Sequence, residues 1–147
     1  MNLLELEEKG EVRRLKTSRK ELRNLLNSAK RKLDDASYEK VSRESRLGLA
    51  YQCILTLAKL ALRASGYRLN GRHDEHVRTL ETLRATMGMD DRRTNYFHTL
   101  RSKRHRDLYE GDLHVSATEL AEALKHAATL LAATEERLKQ HSGPFNE

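Results

Sequence analysis

The residues best suited to chemistry lie in one basic stretch of the chain. Five basic or potentially basic positions fall within six residues and a tyrosine follows them, namely Arg101, Lys103, Arg104, His105, Arg106 and Tyr109. Guanidinium groups hold phosphate through pairs of parallel hydrogen bonds. The stretch therefore predicts a phosphate-binding site, with Arg101, Arg104 and Tyr109 as ligand contacts.

Arg104 has a second property that bears on this prediction. Phe97, Leu100, Arg104 and Leu108 are spaced by three, four and four residues, which places the arginine on the apolar stripe of a helix. An arginine on a packing face is costly unless it is paired or lines a polar cleft. Two interpretations follow: Arg104 pairs internally with a carboxylate, or it holds a phosphate.

Histidine and cysteine offer few further sites. His76 falls on an apolar face, and we expect it to hydrogen-bond to the long central helix and to contribute to the ligand site. The seven histidines include His73 and His76 at a spacing of three residues, but two ligands do not make a metal site. We therefore predict no metal and no cofactor. Cys53 lies in an apolar run and is expected to be a small buried residue.

Composition sets the fold class and the partners. The 147 residues predict one domain, spanning 1–147, and the single proline leaves few helix breakers. Charged residues make up 34% of the chain and aromatic residues 5%, which is typical of a helical protein with a thin aliphatic core. The net charge of +6 favours anionic partners. Acidic and basic residues alternate, however, so an ordinary solvated surface is the alternative interpretation.

Apolar periodicity and capping residues divide the chain into helices. Ser18 with Glu21, and Ser116 with Glu119, have the spacing of capping boxes. Helices are predicted over 3–8, from Ser18, over 38–65, over 73–87, from Asp90 or Asp91, and from Ser116. No segment alternates for long enough to predict a strand. We expect an all-α, antiparallel bundle of four or five helices with its core at about 18–140 and a frayed tail after His141.

The chain carries no recognisable targeting signal. Its first residues become charged quickly, and no apolar run approaches the roughly 20 residues that a transmembrane helix needs. We therefore expect a cytoplasmic protein without a membrane partner.

Several motifs occur in an order that resembles a known family. The first is 46–54, which contains the pair Ala50-Tyr51, and the second is Gly66-Tyr67-Arg68 followed by 71–76. The third is the arginine-rich stretch 101–109, and an alanine-rich helix follows Ser116. Together these motifs resemble a HEPN domain, a small helical bundle, over about 18–140.

The resemblance implies two kinds of function. Active HEPN members are metal-independent ribonucleases with an Arg-x4–6-His motif, commonly placed at a dimer interface, and many are toxins paired with a nucleotidyltransferase antitoxin. Other members bind nucleotides or partner proteins without cleaving RNA. In this chain Tyr109 stands where the histidine would follow Arg104, and His105 stands where asparagine is frequent. Arg93 and His98 match Arg-x4-His by count but lie about three turns too early in their helix.

Three hypotheses remain open. The first is a HEPN-like homodimer that binds a nucleotide, RNA or a partner protein, in which the toxin–antitoxin setting is one possibility. The second is a metal-independent ribonuclease toxin, with Arg104, His105 and Tyr109 as catalytic candidates and Arg93 with His98 as the other pair. The third is an unrelated basic helical protein that is structural or binds nucleic acid through the helix starting at Ser18.

Overall fold

Helices dominate the fold. The computed structural model describes residues 1–140, so the tail predicted to be frayed lies outside the described residues. The elements are α1 Leu3–Glu8, β1 Val12–Arg14, α2 Arg19–Ala36, α3 Arg43–Ala64, β2 Tyr67–Leu69, α4 Glu75–Glu81, α5 Leu83–Met87, α6 Asp91–Tyr109 and α7 Ala117–Gln140. The long helices α2, α6 and α7 all contact α3 or one another. The prediction of an all-α helical bundle is confirmed.

The capping residues start the helices where they were predicted to. The Ser18 hydroxyl accepts the Glu21 backbone N–H at 3.0 Å, and the Ser116 hydroxyl accepts that of Glu119 at 3.1 Å. The Asp90 carboxylate accepts the Arg93 backbone N–H at 2.9 Å. Each cap satisfies one of the backbone donors that a helix start leaves without a partner.

The glutamate carboxylates of the two predicted capping boxes also make contacts with neighbouring helices. The Glu21 carboxylate accepts the Thr17 hydroxyl at 2.9 Å and pairs with Arg63 of α3 at 3.3 Å. The Glu119 carboxylate pairs with Lys103 of α6 at 2.8 Å. These two carboxylates therefore tie neighbouring helices together.

Two predictions about the extent of helices are wrong. The central helix starts at Arg43 instead of Tyr38, because Ser42 caps it and accepts the Ser45 backbone N–H at 3.2 Å. The predicted helix over 73–87 is divided into α4 and α5 at Thr82. The buried Thr82 hydroxyl donates to the Thr79 carbonyl at 2.6 Å, a local bond that competes with the regular helix ladder.

The prediction of no strand is also wrong. β1 and β2 form a two-stranded antiparallel sheet in which Val12 pairs with Leu69 and Arg13 with Arg68. Val12 and Tyr67 are buried together with Leu62 of α3 in a small second core. Three-residue strands are too short to show alternation in the sequence, so tertiary burial accounts for this sheet.

The helix α3 forms the centre of the main core. Its fully buried side chains include Leu47, Tyr51, Ile54, Leu57 and Leu60. By length and composition alone α3 could cross a membrane, since an 18-residue window has a mean hydropathy of 1.3. In the structure 56% of that window is buried, as is usual for the core helix of a bundle.

Candidate functional site

Five of the residues predicted from the sequence line one cleft. The cleft has a volume of about 290 Å³ and lies between the middle of α3, the start of α4 and the second half of α6. The predicted residues that line it are His76, Arg101, Arg104, His105 and Tyr109. The structure thus brings together the basic stretch and the histidine, which are distant in sequence.

Helical spacing on α6 points the arginines toward α3. Arg101 and Arg104 are one turn apart, and the Arg104 guanidinium carbon lies 6.0 Å from the centre of the Tyr51 ring. A cation over an aromatic face is attracted by the ring quadrupole. Phe97 and Leu100 are buried as predicted, but Leu108 is 58% exposed, so the apolar stripe ends at Arg104.

Neither arginine of the cleft forms an ion pair in the part of the chain that the structure describes. Over residues 1–140 the structure shows no ion pair for Arg101 or Arg104. The Arg101 Nε atom is buried without a hydrogen-bond partner in the same part of the chain. Of the two interpretations of Arg104, the internal carboxylate pair is not observed, and the residue lines a polar cleft.

His76 is held by the central helix, as predicted. Its Nδ1 atom lies 3.2 Å from the Tyr51 hydroxyl oxygen. Burial lowers the pKa of His76, and the positive charge of Arg104 lowers it further. Burial also raises the pKa of Tyr51 to about 12, so the phenol keeps its proton. The neutral imidazole can accept a hydrogen bond from this hydroxyl at Nδ1, an arrangement that leaves Nε2–H available as a donor.

His105 and Tyr109 form an aromatic pair at the mouth of the cleft. They are one turn apart on α6, and their ring centres are 4.5 Å apart with planes tilted by 38°. Tyr109 is 75% exposed. Exposed aromatic rings of this kind are surfaces on which a nucleobase can stack.

Arg93 and His98 lie outside the cleft. The His98 Nε2 atom is 3.0 Å from a Glu81 carboxylate oxygen, which connects α6 to α4. The Arg93 guanidinium carbon is 5.9 Å from the centre of the Phe97 ring. The two residues thus have separate structural partners, and neither lines the cavity that holds the predicted cluster.

Metal and thiol chemistry find no support in the described part of the chain. Among residues 1–140, no three histidine, cysteine, aspartate or glutamate side chains are grouped so that they could hold a metal ion. Cys53 is fully buried, and burial raises the pKa of its thiol to about 12. A thiol with this pKa stays protonated at neutral pH and is a poor nucleophile.

Three hydrogen-bonding residues of the cleft were not predicted as site residues. Tyr51, Asp74 and Glu75 also line it. Tyr51 was visible in the sequence as a hydroxyl on the apolar stripe of α3, which requires a buried partner. Asp74 precedes α4 with a left-handed backbone (φ 47°), a tertiary property that the sequence did not reveal.

Comparisons with known proteins assign no relative to this chain: no family model matches it, and neither a curated protein nor a solved structure is significantly similar to it.

Proposed function

We propose that this protein is a HEPN-like module that binds RNA or a nucleotide through a phosphate held in the cleft. The observation that carries the proposal is the pair Arg101 and Arg104, which face one cleft and have no carboxylate partner among residues 1–140. Buried or half-buried guanidinium groups are unfavourable without a counter-charge. A bound phosphate would supply that charge together with oxygen acceptors for both arginines.

The other cleft residues suit the rest of a nucleotide. The His76 Nε2–H is a further donor for a phosphate oxygen, and Tyr109 presents an exposed ring for a base. Asp74 and Glu75 bring carboxylates to the same cleft. Carboxylates repel phosphate but accept hydrogen bonds from ribose hydroxyls, so they favour a nucleotide over a bare anion.

The double variant Arg101→Ala, Arg104→Ala tests this proposal. We expect it to weaken binding of a fluorescein-labelled oligouridine by roughly tenfold or more, since each lost charge-assisted hydrogen bond contributes about 1.5–3 kcal/mol. Fluorescence anisotropy at fixed salt measures the affinity, and circular dichroism checks the fold.

The matched control is Arg23→Ala, Arg31→Ala, which removes the same charge from the exposed face of α2. Its affinity should stay close to wild type. Equal weakening by both double variants would contradict a cleft-specific site. It would favour the hypothesis of an unrelated basic protein that binds nucleic acid through α2.

Metal-independent RNA cleavage is the second candidate function. It is favoured by His76 in its other tautomer, in which Nδ1–H donates to the Tyr51 hydroxyl oxygen and leaves Nε2 unprotonated. A histidine whose pKa is lowered is neutral at pH 7, so this Nε2 atom can act as a general base beside two arginines. We expect an active protein to cleave RNA in the presence of EDTA and to lose cleavage in Arg104→Ala and His76→Gln. Its acidic limb should lie below the ordinary histidine range, because the base is inactive only when protonated.

A matched His114→Gln variant changes an exposed loop histidine that does not line the cleft, so it should retain activity. Absence of cleavage by the wild-type protein, together with intact RNA binding, would reject the enzyme and leave the binding module.

The remaining proposals concern partners and compartment. A homodimer is supported by Leu108 and Tyr109, two exposed residues that line the cleft, because a second copy would cover their apolar surface. A monomer in sedimentation velocity at micromolar concentration would refute it. We also propose a nucleotidyltransferase-type antitoxin partner, from the family resemblance, and a cytoplasmic location, from the sequence. Co-purification from cells tests the partner, and cell fractionation tests the location.

A further inference from the structure

A second cavity beside the cleft is more basic than the cleft itself. It has a volume of about 470 Å³ and lies between the two-stranded β1–β2 sheet, the end of α3 and the start of α4. Five cationic side chains line it: Arg13, Lys59, Arg63, Arg68 and Arg72. We call it the basic cavity.

The charge of the basic cavity is largely uncompensated. Glu75 contributes the one carboxylate among its lining residues. Arg63 pairs with Glu21 at 3.3 Å, but the other four cations have no ion pair within the described 140 residues. An uncompensated concentration of cations focuses a positive potential in a concave site and attracts anions.

The two-stranded sheet contains a pair of like charges, which costs stability in the free protein. Arg13 and Arg68 are directly opposite each other in the antiparallel sheet, so their side chains leave the same face. Like charges in this position repel each other. A bound anion between them would relieve the repulsion, and both side chains line the basic cavity.

The basic cavity and the cleft are neighbours, because Glu75 lines both. Resting on the function proposed above, we propose that the basic cavity is a second phosphate subsite for single-stranded nucleic acid whose adjoining nucleotide occupies the cleft. Two consecutive concave sites suit a flexible single strand, whose backbone tracks a basic groove while its bases stack on exposed aromatic rings. The ligand that fills both sites is therefore a single-stranded oligonucleotide.

The variant Arg68→Ala, Arg72→Ala tests this subsite in the full-length protein. We expect roughly tenfold weaker binding of labelled oligouridine, with a slope of log affinity against log salt that is smaller by about 0.7, because the subsite holds one phosphate and each phosphate contact on a single strand contributes about 0.7. Binding of labelled adenosine monophosphate should stay within about twofold of wild type, since a mononucleotide needs the cleft alone.

The controls separate this proposal from the proposed function. If Arg68→Ala, Arg72→Ala binds oligouridine like wild type while Arg101→Ala, Arg104→Ala does not, the second subsite is refuted and the cleft function stands. If the cleft variant keeps both ligands, the proposed function fails. Arg23→Ala, Arg31→Ala should leave both the affinity and the salt slope unchanged. An equal loss in that variant would refute the subsite as non-specific charge attraction.

Discussion

Phe97→Ala is expected to lower the free energy of unfolding by about 3–5 kcal/mol, a cost typical of removing a fully buried aromatic side chain. Phe97 is 0% exposed in the main core. Its ring meets that of His126 of α7 edge-on, with centres 6.1 Å apart and planes at 90°. Alanine would leave a cavity and remove this contact between α6 and α7. Urea unfolding followed by circular dichroism measures the change.

Leu108→Ala is the matched control, because it removes an apolar side chain from the same predicted stripe of α6. Leu108 is 58% exposed, so its truncation should change the free energy of unfolding by no more than about 0.5 kcal/mol. Comparable losses in the two variants would mean that the end of α6 is packed against the core, contrary to the structure.

Arg78→Met is expected to destabilise the protein by about 2–3 kcal/mol, and most of the loss should be local to the β1–β2 sheet. The Arg78 side chain is only 13% exposed, and its Nε atom pairs with the Glu11 carboxylate at 3.1 Å. Its terminal nitrogens donate to the backbone carbonyls of Glu11, Asn70 and His73 at 3.0, 2.6 and 3.2 Å. Methionine is similar in size but cannot donate, so the carbonyls of Asn70 and His73 lose this donor, whereas that of Glu11 keeps the Asn70 backbone N–H at 2.9 Å. Thermal unfolding measures the global stability, and hydrogen exchange at the strand amides measures the local stability of the β1–β2 sheet.

Arg14→Met is the matched control for Arg78→Met, because it also removes an arginine that pairs with a glutamate near the β1–β2 sheet. The pair of Arg14 with Glu7 spans 3.1 Å, but the arginine side chain is 66% exposed. Pairs of this kind contribute about 0–1 kcal/mol. If Arg14→Met were as destabilising as Arg78→Met, the backbone contacts of Arg78 would not be the cause.

The parts of the fold that depend on local rules could be predicted from the sequence. Ser18, Asp90 and Ser116 cap helices because a hydroxyl or carboxylate three residues from a backbone N–H is a local geometry. Arg101 and Arg104 share a cleft for the same reason, since residues three apart lie on one side of a helix. His76 could be placed beside them because it lies one turn from the buried Leu80 on the same stripe of its helix, although its own side chain is exposed.

The parts that depend on distant contacts could not be predicted in this way. The strands Val12–Arg14 and Tyr67–Leu69 have no pattern of their own and exist because Val12 and Tyr67 pack on Leu62. The basic cavity takes its cations from both strands, from α3 and from the loop before α4, so no window of the sequence contains it. The exposure of Leu108 likewise reflects where α6 leaves the bundle.

The pairing of β1 with β2 also sets an order of events during synthesis. β1 leaves the ribosome before α2 and α3, whereas its partner strand follows both of them. Closing so long a loop carries an entropic cost that local helix formation does not. The nascent chain therefore carries β1 as an unpaired strand until β2 has been synthesised after α3. Arg13 and Arg14 protect that strand in the interval, because charged side chains discourage the edge-to-edge association that leads to aggregation.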